Sequence, residues 1–142
     1  MIRFMLVQNR QGKTRFSRWY VNYEEKEKQR LILDIHRSIS ARDSRFTNFI
    51  EFLNYKIVYK RFAGLYFLFC IDFNDNELSH LELIQLFVEV LDQFFGNVCE
   101  LDIVFNFYKI YSIVDEMIVG GEVFETSKNA IISAIRKQEA LS

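Results

Sequence analysis

The chain has 142 residues, half of them hydrophobic and 16% aromatic, which is one domain by size, able to bury roughly 70% of the surface its unfolded form exposes. Proline is absent where roughly 5% is usual, which excludes a disordered Pro-rich linker. The formal charge of −1 hides an asymmetry: residues 1–61 carry 14 Lys/Arg against 6 Asp/Glu, and residues 62–142 carry 4 against 13. A domain polarised in this way is expected to dock on partners of matching sign. With 15 Phe, 7 Tyr and 1 Trp, part of that docking surface is expected to be apolar, as in one piece of a larger assembly.

Ile2 to Asn9 is a β-rich apolar run, and Arg10-Gln11-Gly12-Lys13 supplies the glycine of a hairpin turn before a second strand, Thr14 to Val21. On that strand Lys13, Arg15, Ser17 and Trp19 share one face, and Thr14, Phe16, Arg18 and Tyr20 the other. From Glu24 to about Ala41 the period becomes helical: Leu31, Ile32, Ile35 and Ile39 fall on one side, with Glu24, Glu25 and Glu27 at the helix start where the macrodipole favours anions. Three strands follow, Thr47 to Leu53, Tyr55 to Phe62 and Leu65 to Phe73. The last is almost wholly apolar and is expected to be central and covered on both faces.

Asn74 and Glu77 are spaced as a capping box. The helix after them, to about Phe95, has an apolar arc wider than a one-sided stripe, so it must touch the sheet on one flank and something else on another. Gly96-Asn97 ends it. Val98 to Asn106 and Phe107 to Val119 read as further helices, closed by Gly120-Gly121, and Thr126-Ser127 can cap a last helix from Lys128 to about Glu139. The order β-β-α-β-β-β-α, then helices, predicts a single α+β domain over residues 1–142, a five-stranded antiparallel sheet sandwiched by helices.

Little in the chain suggests catalysis. Gly12-Lys13-Thr14 resembles the tail of a phosphate-binding loop, but the required earlier glycine is Val7, inside a strand, and a strand rather than a helix follows. His36 and His80 have no second ligand at metal-binding spacing, so surface or cap roles and no metal are expected. Glu100 with Asp102, and Asp115 with Glu116, lack a nucleophile or glycine-rich loop, and read as solvated or interface charges. Lys13, Arg15, Arg18, Lys56, Lys60 and Arg61 sit on strands beside aromatics, as in single-strand nucleic-acid binders. The pI near 6.1 and the lack of an RNP pattern argue against that partner. Cys70 and Cys99 lie in apolar runs without CxxC spacing and are expected to be buried free thiols. A charge at Arg3 leaves the first apolar stretch too short for a signal peptide, and no run reaches the roughly 18 residues of a membrane span, so a cytosolic location is expected.

At Met1-Ile2-Arg3-Phe4, Asn9-Arg10-Gln11-Gly12-Lys13-Thr14-Arg15, Trp19-Tyr20, 58–67, 74–78, 87–92, 97–102, 104–109, Val114-Asp115-Glu116-Met117 and Glu125-Thr126-Ser127 the chain resembles the small (sigma) chains of clathrin adaptor complexes. Thr47-Asn48-Phe49, Phe62-Ala63-Gly64-Leu65 and Phe107-Tyr108-Lys109 are most similar to the plasma-membrane, endocytic type. Asn76-Glu77-Leu78, Leu81-Glu82-Leu83-Ile84 and Gly120-Gly121 lean towards the Golgi/endosomal type.

The resemblance implies a longin-like fold, no enzymatic activity and no cofactor. It implies a heterotetramer of two large chains, a medium chain and this one, acting in endocytosis at the cytoplasmic face of the plasma membrane, with clathrin and membrane met through the complex. The implied ligand is the acidic dileucine signal, [Asp/Glu]-x-x-x-Leu-[Leu/Ile], in cytoplasmic tails of membrane cargo. Carried onto this sequence, Ala63, Leu65, Val88, Val98 and Ile103 would line the leucine pockets, with Asn97 nearby. Endocytic members often have Leu where Ile103 stands. Arg15 would read the acidic position, and Arg61 is expected to add to its field. The alternatives are the Golgi/endosomal sigma chain, a longin-type regulator of vesicle fusion, whose downstream coiled coil does not fit after Ser142, and a nucleotide-dependent enzyme, which Val7 disfavours. From composition alone, Leu65, Val88, Val98 and Ile103 read simply as core.

Overall fold

A computed structural model describes residues 1–42 and 48–141. Strands β1 (Ile2–Asn9) and β2 (Thr14–Trp19) form a hairpin, helix α1 (Glu25–Ser40) follows, and β3 (Phe49–Phe52), β4 (Tyr55–Phe62) and β5 (Leu65–Asp72) complete an antiparallel sheet in the order β2-β1-β5-β4-β3. Then come α2 (Glu77–Phe95), α3 (Glu100–Phe105), α4 (Phe107–Met117), the two-residue strands β6 (Ile118–Val119) and β7 (Glu122–Val123), and α5 (Lys128–Leu141). Of the strand expected over 47–53, Phe49–Phe52 is present, and Thr47 lies outside the described residues.

β5 is central, as its composition predicts, and every residue from Leu65 to Ile71 is buried. Its side chains divide by the strand's period of two. Leu65, Phe67, Phe69 and Ile71 join a cluster with α2, α4 and α5. Tyr66, Leu68 and Cys70 join a second cluster, under Ile35 and Ile39 of α1. On β1 the alternation is broken near Arg3, because the register with β5 shifts between Ile2 and Phe4. Ile2 therefore joins the first cluster and Phe4 the second, which is the re-aiming a bulge produces.

The β1–β2 turn is tightly specified. Asn9 Oδ1 accepts from the N–H groups of Gln11 and Lys13, both at 2.9 Å, an Asx turn. Gly12 has φ +87°, and a Cβ there would lie 2.5 Å from the His36 ring. Two separate demands, a left-handed backbone and contact with α1, thus fall on this one glycine.

Several expectations need correction. The cap of α2 is Asn76, not Asn74: its side chain accepts from the N–H groups of Leu78 and Ser79. Glu77 instead takes Lys56 Nζ at 2.5 Å, and this bond holds the Glu77 carboxyl below its ordinary pKa. The helix expected to reach Val119 stops at Met117, where Ile118–Val119 pairs with Glu122–Val123 as a small hairpin. That hairpin reaches back to the main sheet, for the Ile2 N–H donates to the Gly121 carbonyl at 2.7 Å. The second flank of α2 is covered largely from within the chain: Ile131, Ile132 and Ile135 of α5 bury into the same cluster as α2. Ser127 caps α5, its Oγ accepting from the Ala130 N–H at 3.3 Å.

Cys99 is exposed, contrary to expectation, because it stands at the start of α3 rather than in a buried run; Cys70 is buried, and both are free. Desolvation pushes the Cys70 thiol up to about 12. The native chain should therefore consume one equivalent of a thiol reagent near neutral pH, at Cys99, and the second only after unfolding. Glycine substitutions should also separate by mechanism. Gly12→Ala should lower unfolding free energy in urea by roughly 2–3 kcal/mol, combining backbone strain with the His36 clash. Gly64→Ala, where a Cβ meets nothing within 4 Å, should cost only the backbone share, about 1 kcal/mol.

Candidate functional site

The lower end of the sheet, where β1 and β4 run into tight turns, gathers most of the residues singled out above. Ala63 and Gly64 are the two central residues of the β4–β5 turn, with φ of 55° and 75°, the pairing of a two-residue hairpin with right-handed twist. Ala63 is exposed and Leu65, the first residue of β5, is buried. Val88 points inward from α2. Asn97 follows the left-handed C-cap Gly96 and itself has φ 69°, so the chain reverses sharply into Val98 and α3.

Leu65, Val88, Val98 and Ile103 lie in one apolar cluster, none more than 3% exposed. Residues of β5, α2 and the 98–103 stretch thus share one apolar core. Ala63 and Asn97 stand at the surface.

Arg15 sits at an irregularity. The β1–β2 register runs Val7 opposite Phe16 and then Gln8 opposite Thr14, which leaves Arg15 as the extra residue of a bulge. Alternation alone would put it on the face of Trp19, toward α1. The bulge instead lets its Nε donate to Glu100 Oε2 at 2.6 Å, at the first residue of α3. Asn9 Nδ2 donates to the same oxygen at 3.3 Å. Glu100 in turn borders an open groove of about 290 Å³ with Asn9, Arg10, Gln11, Ala63 and Gly64.

Arg61 does not join this cluster. β1 and β5 lie between its strand and that of Arg15, a lateral distance on the order of 14 Å at the usual strand spacing. Arg61 also shares the face of Ile57 and Tyr59, toward α1, and lies 5.5 Å from the Tyr66 ring centroid. Its expected proximity to Arg15 is not found, and at that range salt screens most of its field.

Part of the charge asymmetry of the sequence is met inside the fold. Arg3 pairs with Asp72, Arg15 with Glu100, Arg18 with Asp115 and Lys56 with Glu77, each a basic residue of the first part of the chain against an acidic one of the second. Folding thus sets part of the basic half against the acidic half, and the field open to a partner is weaker than the charge count alone predicts. Glu100 and Asp115, read from sequence as solvated or interface charges, are internal partners. Asp102 accepts from the Cys99 N–H at 2.9 Å and caps α3, and Glu116 accepts from Gln138 at 3.2 Å. His80 Nδ1 lies 2.8 Å from the Asn76 carbonyl at the start of α2, and His36 packs beside Gly12.

Sequence reasoning missed Asn9 and Glu100 as members of the site. Asn9 carried a local signal, the Asn-x-x-x-Lys spacing of its turn. The contact of Glu100 with Arg15 spans 85 positions, and nothing local announces it.

Outside this region, the apolar residues of α3 and α4 are unusually open. Leu101, Val104, Phe105, Phe107 and Tyr108 are all exposed, Phe105 at 78% and Tyr108 at 85%. Among the described residues no group of His, Cys, Asp and Glu is placed to hold a metal ion, and no helix is long and apolar enough to cross a membrane.

Comparison with known proteins gives this geometry a family. The profile of the clathrin adaptor complex small chain matches residues 1–142. The AP-2 complex subunit sigma of Neurospora crassa is 55% identical over 142 residues, covering 99% of both chains. That of Dictyostelium discoideum is 58% identical over 132 residues, 93% of each chain. The AP-1 complex subunit sigma-2 of Dictyostelium discoideum is 49% identical, covering 97% of this chain and 90% of its own. Among solved structures, a chain of the full-length AP-3 complex in a stretched open conformation superposes with a TM-score of 0.79 at 31% identity, over 99% of this chain and 95% of that one. The fold is accordingly longin-like, and the chain belongs to the clathrin adaptor complex small chain family.

Proposed function

We propose that this chain is the small subunit of a heterotetrameric clathrin adaptor of the endocytic type, a non-enzymatic component that binds acidic dileucine signals in the cytoplasmic tails of membrane cargo. It does so as a single domain, beside two large chains and a medium chain, at clathrin-coated pits on the plasma membrane. The observation that carries this reading is identity of 53–58% to proteins named AP-2 complex subunit sigma. The Golgi/endosomal alternative has less support, since the relatives named AP-1 stand at 48–49%.

Physical features fit a subunit of an assembly. The exposed run Leu101, Val104, Phe105, Phe107 and Tyr108 is the type of surface that an obligate interface covers. The leucine-binding role falls on Leu65, Val88, Val98 and Ile103, with Ala63 and Asn97 at the rim. Because these four are closed into the core, the packing around them must part locally to admit the cargo leucines. Each leucine would then contribute about 1.5–3 kcal/mol before ordering costs. Arg15 reads the acidic residue, a part-exposed contact of about 0–1 kcal/mol. Apolar contact thus sets affinity, and Arg15 sets register.

Co-purification with tagged protein should return two large chains and a medium chain, and the identity of the large chains decides between the endocytic and Golgi/endosomal types. In the assembled complex, Val88→Asp should reduce binding of an Asp/Glu-x-x-x-Leu-Leu peptide by more than about tenfold, since it sets an unpaired carboxylate against the leucine wall. Arg15→Ser should reduce it only about two- to fivefold. Unchanged binding by an intact Val88→Asp complex would falsify the pocket assignment.

A further inference from the structure

We infer that Glu100 sets how strongly this chain discriminates acidic from neutral residues in its ligand, because Glu100 already occupies part of the arginine that reads them. This rests on the reading of Arg15 given above and goes beyond it.

The carboxylate is fixed from three sides. Its backbone opens α3, and that opening is held by the Asp102 cap on the Cys99 N–H. Its Oε2 accepts from Arg15 Nε at 2.6 Å and from Asn9 Nδ2 at 3.3 Å. The Asn9 amide cannot easily turn away, because its Oδ1 is engaged by the Gln11 and Lys13 N–H groups of the β-turn. The arrangement is therefore built by the turn, the bulge and the helix cap together, and does not depend on Arg15 alone for its geometry.

A guanidinium offers five N–H donors in a planar fork. Glu100 takes the Nε position, so the Nη side can still receive a second carboxylate. An incoming acidic side chain then meets a neutralised pair rather than a bare cation, and attraction to Arg15 is offset by repulsion from Glu100. Glu100 also borders the groove shared with Ala63 and Gly64, which puts the opposing charge on the ligand's side of the arginine. The result is a site tolerant of neutral residues at the acidic position, with its preference for Asp or Glu held low by an internal competitor.

The test uses the assembled complex and two peptides, Glu-x-x-x-Leu-Leu and its Ala-x-x-x-Leu-Leu counterpart, with the ratio of their affinities as the readout. Glu100→Gln keeps shape and removes charge. It should raise the acidic-over-neutral ratio about fivefold, equivalent to about 1 kcal/mol. In an Arg15→Ser background the same change should leave the ratio flat. The parent complex supplies a second measurement: its ratio should vary little between about 0.05 and 0.3 M salt, and a steep fall with salt overturns the inference even if the Glu100→Gln complex fails to assemble. An unchanged or lowered ratio in Glu100→Gln also overturns it, as does equal loss of both peptides, which would make Glu100 a structural brace. If the parent binds neither peptide, the dileucine reading itself fails and takes this inference with it; if Val88→Asp abolishes binding but Glu100→Gln leaves the ratio unmoved, the reading stands and only the role of Glu100 is lost.

Discussion

The burial of β5 on both faces is the constraint from which the rest of the structure follows. A strand reading Leu-Tyr-Phe-Leu-Phe-Cys-Ile has no polar side to give to water, so each face of the sheet must be roofed. One helix, α1, suffices over the side of Tyr66, Leu68 and Cys70. The side of Leu65, Phe67, Phe69 and Ile71 is covered by α2, backed by α4 and α5. Placing β1 beside β5 then sets β2 at the sheet edge, where its bulge can turn Arg15 toward α3. The site is thus a by-product of how the roofed face is closed at one end.

Electrostatics is shaped by the same closure. The acidic helices fold over a sheet whose strands β2 and β4 carry basic residues, and ion pairs form across the boundary between the two parts of the chain. These pairs are half-exposed and individually weak. They lower the long-range polarity, and a partner also meets an apolar surface, the open Phe105–Tyr108 region foremost. Arg61, on the other face of the sheet, belongs to a different surface.

Within the candidate site, legibility tracked locality. The hairpin turn at Gly12, the apolar character of Leu65 and Val88, and the break at Gly96-Asn97 were all written in short windows, because turns and strand alternation depend on neighbours only. The capping assignment missed by two residues because Asn74 and Asn76 both offer the right side chain, and only the path from β5 decides which one meets the free N–H groups of α2. Cys99 looked buried because the residues around it are apolar, yet a helix start turns it outward.

The sequence by itself determined the sheet, its central strand, the order of its elements as far as α2 and the excess of aromatic surface, since periodicity and composition answer to local geometry and to the cost of exposing apolar area. Tertiary structure alone decided which basic residues of the first half would meet acidic ones of the second, that Ile118–Val119 would leave the helix and pair with Glu122–Val123 beside the first strand, and that Glu100 would lie against Arg15. Those outcomes depend on where distant segments meet and on a single extra residue in one strand. Neither a charge count nor a helical period carries that information.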